Sequence, residues 1–238
     1  MESALFEALK KLRKNIVKGK KSNKPCIIIS EKSTCCYLCG SKEVVRAFDE
    51  ELKNFKLKNK VDVKTTGCLG FCEIEPVVII DPQGIVYQKV TKDDVLEIIT
   101  ETILNDIIVD RLLYTDPVKG RKCKTEESMP FYKKQHRLVL GDNRRLDPNN
   151  IEDFIAIGGY SALGKALYNM KPEKVIDKIK KAGLRGRGGG GFPTGRKWES
   201  ARNAKGDPKY VICNADEGDP GAYMDRSLLE GNPHKVIE

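Results

Sequence analysis

The sequence predicts an α/β protein built from two parts in tandem, on three observations. Short apolar runs of strand character alternate with helical periodicities between Cys26 and Ile99. Five cysteines fall in two groups at the ends of those runs, and a glycine-rich run, Gly183 to Gly195, lies between two helical segments. The implied boundaries are 1–104 for the first part, 105–146 for a linker and 147–238 for the second. A chain of 238 residues, 39% hydrophobic and 32% charged, can bury one or two cores.

In chain order, Leu5, Leu9, Leu12 and Ile16 recur at helical spacing within residues 1–24, where eight Lys/Arg face two Glu. The expected helix packs on its own domain or on a partner subunit; the alternative for a basic amphipathic helix is an anionic membrane surface. Cys26 to Ile29 reads as a strand, Thr34 to Gly40 as a cysteine loop, and the next stretch as a helix presenting Val44, Val45, Phe48 and Leu52. Strands follow at Val61 to Val63, Val77 to Ile80 and Ile85 to Tyr87, the last two joined by the turn Asp81-Pro-Gln-Gly84 into a hairpin. Thr91 with Asp94 opens a helix through Val95, Ile98 and Ile99. Strand, helix, strand, hairpin, helix is the order of a small thioredoxin-like sandwich.

Pro117, Pro130 and the charged run Lys119 to Glu127 mark the linker as a connector. Asp147-Pro148 then opens a helix through Ile151, Phe154 and Ile155 that stops at Gly158-Gly159, and Ser161 caps another. Pro172 to Lys181 carries Val175, Ile176 and Ile179 on one helical face, with Gly183 placed to end it, and a further helix starts near Gly195. Tyr210 to Cys213 reads as a buried strand delivering the loop Asn214 to Gly221 at its C-terminal end. Asn232-Pro233 opens a last helix that reaches Glu238 with no stop signal, the pattern expected of a fragment or an interrupted reading frame.

Composition narrows the function. No apolar run approaches the roughly 20 residues of a membrane helix, and the charged N-terminus lacks a signal-peptide core, so the expected compartment is cytoplasmic. In that compartment eight cysteines read as thiols or metal ligands rather than disulfides. The net charge of +9 suits an anionic partner, but aromatics at 7% form no stacking pattern with the lysines, which argues against nucleic acid.

Two constellations carry chemistry. Cys35, Cys36 and Cys39, with Cys68 and Cys72, can converge on one soft metal centre, and their spacing serves tetrahedral zinc or a 2Fe-2S cluster equally. Cys26, Cys123 and Cys213 read as packing residues. The glycine run reads as a phosphate cradle, since bare backbone aimed at a helix N-terminus offers free N–H groups, to which Arg185, Arg187, Arg196 and Lys197 add charge. Gly186, Gly188 and Gly191 have the G-x-G-x-x-G spacing, but a helix precedes them where a dinucleotide fold needs a strand. Gly190 and Gly195 have P-loop spacing, but Arg196-Lys197 stands where Lys-Ser/Thr is required, which disfavours an ATPase. Asn214, Asp216, Glu217 and Asp219 offer donors and acceptors suited to a heterocycle edge and ribose hydroxyls.

Taken together, Gly183-Leu-Arg-Gly-Arg-Gly-Gly-Gly-Gly-Phe-Pro-Thr-Gly195 with Lys197-Trp198, Cys213-Asn-Ala-Asp-Glu-Gly-Asp-Pro-Gly221, Asp225-Arg226 and Glu230-Gly-Asn-Pro-His234 resemble the start of the NADH-binding flavoprotein subunit of respiratory complex I. The form with a fused thioredoxin-like 2Fe-2S domain, as in NAD(P)-linked iron hydrogenases, is the better match, and Phe131-Tyr132, Gln135, Asp147-Pro148 and Ile157-Gly-Gly-Tyr160 also resemble those subunits. The resemblance implies an α/β chain in which a thioredoxin-like ferredoxin domain precedes the incomplete start of an FMN/NADH-binding domain. It implies that the subunit takes a hydride from NAD(P)H onto FMN and passes electrons to iron-sulfur clusters, working with other iron-sulfur subunits of a multisubunit complex. By motif position, Gly186, Arg187, Gly188, Gly189, Gly190, Gly191, Phe192, Gly195 and Lys197 line the nucleotide and flavin phosphates. Asn214, Asp216 and Glu217 face the flavin, Glu217 as the catalytic candidate, and Asp219 helps hold the nicotinamide nucleotide. A 4Fe-4S cluster is expected only beyond Glu238.

This sequence departs from the family at one ligand. The family's first ligand cysteine has four residues between it and the second, and counting back from Cys36 on that spacing reaches Glu31, beside Ser30. Either Cys35 or Cys39 substitutes, a non-thiolate ligand is used, or the cluster is lost. The competing class is a non-enzymatic ferredoxin-like carrier or a zinc-stabilised docking module.

Overall fold

The computed structural model describes residues 2–20 and 24–238, the side chains of residues 2–5 excepted, so the Leu5 side chain of the predicted apolar stripe lies outside the described residues. Helix α1 (Glu2–Gly19) leads into strand β1 (Cys26–Ser30), the short helix α2 (Thr34–Leu38) and the long helix α3 (Ser41–Asn54). Strands β2 (Asp62–Thr66), β3 (Val78–Asp81) and β4 (Ile85–Tyr87) complete a four-stranded sheet of order β2-β1-β3-β4. β1 runs parallel to β2 and antiparallel to β3, and β3 pairs antiparallel with β4. The four strands predicted between Cys26 and Tyr87 are therefore present, each displaced by no more than a few residues.

β1, β3 and β4 are buried on both faces, while edge strand β2 leaves Val63 exposed, and the alternation of side chains assigns each residue to one face. Register places Ile27 opposite Ile80 and Ile80 opposite Ile85, while Ile28 pairs with Ile79 and Ile79 with Val86. The first set faces α3, where Val44, Phe48 and Leu52 meet Ile27, Ile29 and Ile80. A continuous helical segment covers the same face. It opens on a 3-10 turn (Lys92–Asp94) closed by the Thr91–Asp94 capping box, passes through α4 (Val95–Glu97) and ends in a π-helical stretch (Ile98–Leu104). Tyr87, fully buried, shares a hydrogen bond of 2.7 Å with Thr102 Oγ1 and accepts one of 3.0 Å from the Val109 N–H, so its hydroxyl is satisfied inside this core.

The second set, Ile28, Ile79 and Val86, is covered by Leu69, Phe71, Ile74, Cys123, Met129 and Tyr132. Residues 105–146, read from sequence as a connector, thus supply half of a core layer. Within them lie the short pair β5 (Tyr114–Thr115) and β6 (Lys122–Cys123) and helix α5 (Pro130–Lys133). Phe131 stacks on Phe71 at 3.9 Å between ring centroids. Buried Glu126 receives Arg137 at 3.2 Å and Arg144 at 2.7 Å, and Arg144 also reaches Asp81 at 2.5 Å, which ties this cover to the end of β3. The apolar half of the cover was not legible, because it is formed by isolated residues far apart in sequence.

The remaining helices are α6 (Ile151–Ala156), α7 (Ser161–Asn169), α8 (Pro172–Lys181), α9 (Thr194–Asn203), α10 (Met224–Gly231) and α11 (Pro233–Ile237). Asn150 caps α6 by accepting from the Glu152 N–H at 3.0 Å, and Asn232 caps α11 by accepting from the Lys235 N–H at 3.1 Å. α1 packs on α6 and α7: the Phe6 ring lies against Gly164, where an added Cβ would stand 2.9 Å from it, and Arg13 donates to the Ala156 carbonyl at 3.2 Å. Asp153, nearly buried, pairs with Lys20 and, at 3.4 Å, with Lys64. Burial opposes its ionisation, but Lys20, the Asp147 N–H and Lys64 outweigh it and hold the carboxyl below its ordinary range.

One predicted element is absent. Tyr210 to Cys213 forms no strand, and Tyr210, Val211 and Ile212 are 79%, 102% and 85% exposed. Strand backbone must pair, and neither edge of the four-stranded sheet bonds to these residues; their apolar, β-branched character could not supply a partner by itself.

Candidate metal centre and nucleotide loop

The parallel pairing of β1 and β2 brings the cysteines together. Ser30 and Thr66, the last residues of the two strands, lie opposite one another, so the loops that follow leave from the same edge. Glu31 N–H and Lys32 N–H both donate to the Thr66 carbonyl, at 3.0 and 2.8 Å, and hold the loops side by side. The first carries Cys35 and Cys36 in α2, and the second carries Cys68 and Cys72.

The Sγ atoms of Cys35, Cys36 and Cys68 lie within 4.8 Å of one another. The Cys72 thiol interacts with those of Cys68 and Cys35. Cys39, at the end of α2, is exposed and feels Cys35 only through its charge. Three of the five predicted ligands therefore form one close set, with the Cys72 thiol beside two of its members and Cys39 apart. Of the remaining cysteines, Cys123 is buried in the second core layer as a packing residue, Cys26 is half-buried on β1, and Cys213 is exposed.

Hydrogen bonds and burial set these thiols apart. Cys68 is drawn down to about 6 by the hydrogen bond it receives from Cys36 and by the Gly70 N–H, which donates to its sulfur at 3.2 Å. The proton stays on Cys36, whose thiol is pushed up by that same hydrogen bond and by burial, and burial raises Cys72 to about 12. Ser33 caps α2 and donates to the Cys36 sulfur at 3.0 Å, with its hydroxyl 3.2 Å from Cys35 Sγ. Glu75, buried beside Cys36, accepts from the Ser30 hydroxyl and, at 2.9 Å, from the Val77 N–H; burial raises its carboxyl to about 7. Ser33 was readable as an N-cap ahead of Thr34-Cys-Cys. Glu75 carried no local signal.

Three more contacts, none visible in sequence, fix the cysteine loops against distant segments. Asn143 donates to the Cys68 carbonyl at 2.8 Å, Glu230 accepts from the Thr34 N–H and hydroxyl, each at 2.8 Å, and Gly67 meets Gly231 of α10. A Cβ on Gly67 would stand 2.3 Å from the Gly231 Cα, so Gly67 must lack a side chain for the backbones to approach, while a Cβ on Gly231 would meet the Asn143 amide at 2.8 Å. Gly67→Ala is therefore expected to cost about 1–3 kcal/mol and to push α10 away, read as a lowered Tm with faster proteolysis of residues 224–238; an unchanged Tm would refute the contact. Beside this seam, Cys35 and Cys39 line a cavity of 380 Å³ with Thr34, Tyr223 and Arg226.

The glycine run forms a closed lobe. Gly186 N–H donates to the Phe192 carbonyl at 2.9 Å, Thr194 N–H to the Leu184 carbonyl at 3.0 Å, and Arg185 Nε to the Gly191 carbonyl at 2.6 Å. Gly189 and Gly191 have positive φ of 99° and 58°, which explains glycine there. Gly188 and Gly190 do not, and a Cβ on either would meet nothing within 4 Å. Bare backbone with open space around it fits a loop that meets a phosphate-bearing group such as FMN. Arg187 and Phe192 lie exposed within the run and Lys197 exposed in the first turn of α9, with Arg196 over the Phe192 ring. Gly195 has a packing role: it is buried at the crossing of α8 and α9, where a Cβ would lie 2.5 Å from Lys180 Cγ.

Asn214, Asp216 and Asp219 lie in the exposed stretch after Cys213, where Asp216 N–H donates to Asn214 Oδ1 at 2.9 Å. Glu217 is half-buried and accepts from the Arg226 N–H in the first turn of α10. Among the described residues no hydrogen bond or ion pair joins this stretch to the glycine lobe.

Comparison with known proteins matches both regions. Residues 18–103 fit the family model of the thioredoxin-like [2Fe-2S] ferredoxin, and residues 179–238 fit that of the Nuo51 FMN-binding domain. The chain is similar to both families. It is 54% identical over 106 residues to the NADP-reducing hydrogenase subunit HndC of Solidesulfovibrio fructosivorans, covering 44% of this chain and 21% of that protein. It is 53% identical over 101 residues to an NADH-quinone oxidoreductase subunit of Aquifex aeolicus, covering 42% and 23%. Among solved structures, a thioredoxin-like [2Fe-2S] ferredoxin from Aquifex aeolicus aligns over 40% of this chain and 100% of its own, at 26% identity and a TM-score of 0.37. The chain thus spans about a fifth of the length of these curated relatives. No described helix is long and apolar enough to cross a membrane.

Proposed function

We propose that the chain belongs to an oxidoreductase subunit that oxidises NAD(P)H through FMN and passes electrons to iron-sulfur centres, beside other iron-sulfur subunits of a hydrogenase-like or complex I-like assembly in the cytoplasm. The observation that carries the reading is the convergence of Cys35, Cys36 and Cys68 within 4.8 Å on loops inside the ferredoxin-matching segment. FMN, when bound, supplies the exchange between two-electron and one-electron chemistry. The chain's own contribution is to hold these groups in place. Cys36, Cys68 and Cys72 would hold the 2Fe-2S cluster with one further ligand, Leu69 and Phe71 anchoring the Cys68 loop in the second core layer. The N–H groups of Gly188 to Gly191, with Arg187 and Lys197, would hold the flavin phosphate, while Gly186 closes the lobe through its bond to the Phe192 carbonyl. Phe192 and Gly195 would shape the lobe, Asn214, Asp216 and Glu217 would face the flavin, and Asp219 would hold the nicotinamide nucleotide. Residues 1–104, 105–146 and 147–238 would serve as cluster domain, cover and flavin segment.

The exposure of Tyr210, Val211 and Ile212 favours a second reading, a cluster-bearing electron carrier without flavin. Anaerobic reconstitution of the purified chain with iron, sulfide and FMN, followed by gel filtration, separates the two. Co-eluting flavin whose colour is bleached by NADH, together with NADH-dependent dye reduction, is the expected result. Iron and sulfide without flavin would establish the carrier and overturn the flavin assignment.

A further inference from the structure

We propose that Cys35 is the fourth thiolate of the metal centre, so that two adjacent residues, Cys35 and Cys36, ligate it together, while Cys39 stays a free thiol and Glu31 stays outside. This deepens the reading above and rests on its cluster site.

Geometry separates the three candidates for the fourth position. Cys35 shares the 4.8 Å set with Cys36 and Cys68 and interacts with Cys72, so it touches thiols from both loops. Sulfurs bound to one tetrahedral metal at about 2.3 Å lie roughly 3.8 Å apart, a separation that this set can reach by small side-chain adjustments. Cys39 sits at the far end of α2, one turn on from Cys35, with its N–H donating to the Cys35 carbonyl at 3.1 Å and its thiol exposed. To join the set it would have to unwind the last turn of α2. Glu31 has a competing partner, since its carboxylate meets Lys32 Nζ at 2.8 Å.

Adjacent helical residues normally diverge, being about 100° apart around the axis. Their convergence here follows from their place in the first turn of α2. Ser33 both caps that turn and lies 3.2 Å from one sulfur and 3.0 Å from the other, which aims both side chains at the Cys68 loop. Glu230 clamps the preceding residue, Thr34, from α10. The turn that carries both thiols is thus held from two sides before any metal arrives.

The test uses the full chain and the variants Cys35→Ala, Cys39→Ser and Glu31→Ala, with circular dichroism as the folding check. After anaerobic reconstitution with ferrous iron and sulfide, Cys39→Ser and Glu31→Ala should keep the parent's iron content, visible spectrum and electron paramagnetic resonance signal. Cys35→Ala should lose bound iron and the sulfur-to-iron charge-transfer band. In the loaded parent chain, iodoacetamide should alkylate Cys39 and spare Cys35, a readout that needs no variant. Cobalt(II) serves as a second probe of the same thiols, its thiolate absorption falling in Cys35→Ala alone. If cobalt shows this pattern and iron with sulfide does not assemble, the ligand set stands and the cluster reading falls. Retention of the parent spectrum in Cys35→Ala, loss of it in Cys39→Ser or Glu31→Ala, alkylation of Cys35 in the loaded chain, or a parent chain that binds neither metal would overturn the assignment.

Discussion

Phe48→Ala is expected to destabilise the chain by about 3–5 kcal/mol, a large share of the roughly 5–15 kcal/mol that holds a domain folded. Phe48 is fully buried and projects from α3 into the layer that Ile27, Ile29 and Ile80 form on one side of the sheet. The neighbours are β-branched residues held by strand register, so they cannot collapse into the space a ring leaves. Urea unfolding followed by circular dichroism should show the midpoint fall with the slope unchanged. A loss below about 1 kcal/mol would mean that α3 does not pack on this face as described.

Cys68→Ala should abolish iron binding while leaving the secondary structure intact. Its sulfur meets the thiols of Cys36, Cys35 and Cys72, so its loss removes the second loop's contact with both thiols of α2 in the 4.8 Å set. It is also the thiol already drawn toward its ionised form, the state in which a thiolate binds metal. A colorimetric iron assay after reconstitution checks the expectation, with Cys123→Ala as the comparison, since Cys123 lies in the second core layer and its thiol donates to the Ser128 carbonyl. Parent-level iron in Cys68→Ala would place the centre elsewhere.

Much of the sheet was legible because its elements are local: Ile27 to Ile29, the Asp81 to Gly84 turn and the Thr91–Asp94 box each declare themselves within a few residues. The convergence of two cysteine groups was legible for the same reason, as both follow strands whose ends must meet if the strands are parallel. The choice between Cys35 and Cys39 was not. It depends on which way α2 turns, and that is set by Ser33, Thr34 and Glu230 together. Tyr210 to Cys213 failed for the converse reason: a strand is a relation between segments, and β-branched character states only one side of it.

The seating of α1 bears on how this molecule can be dissected. Its Phe6 and Arg13 engage Gly164 and Ala156, so α1 belongs physically with α6 and α7, more than a hundred residues further along. A gene cut after residue 104 to isolate the cysteine-bearing half would strip that helix of its seat and expose its greasy stripe to solvent. Starting such a product at β1 would avoid the problem, but would in turn leave α6 and α7 uncovered in whatever remains.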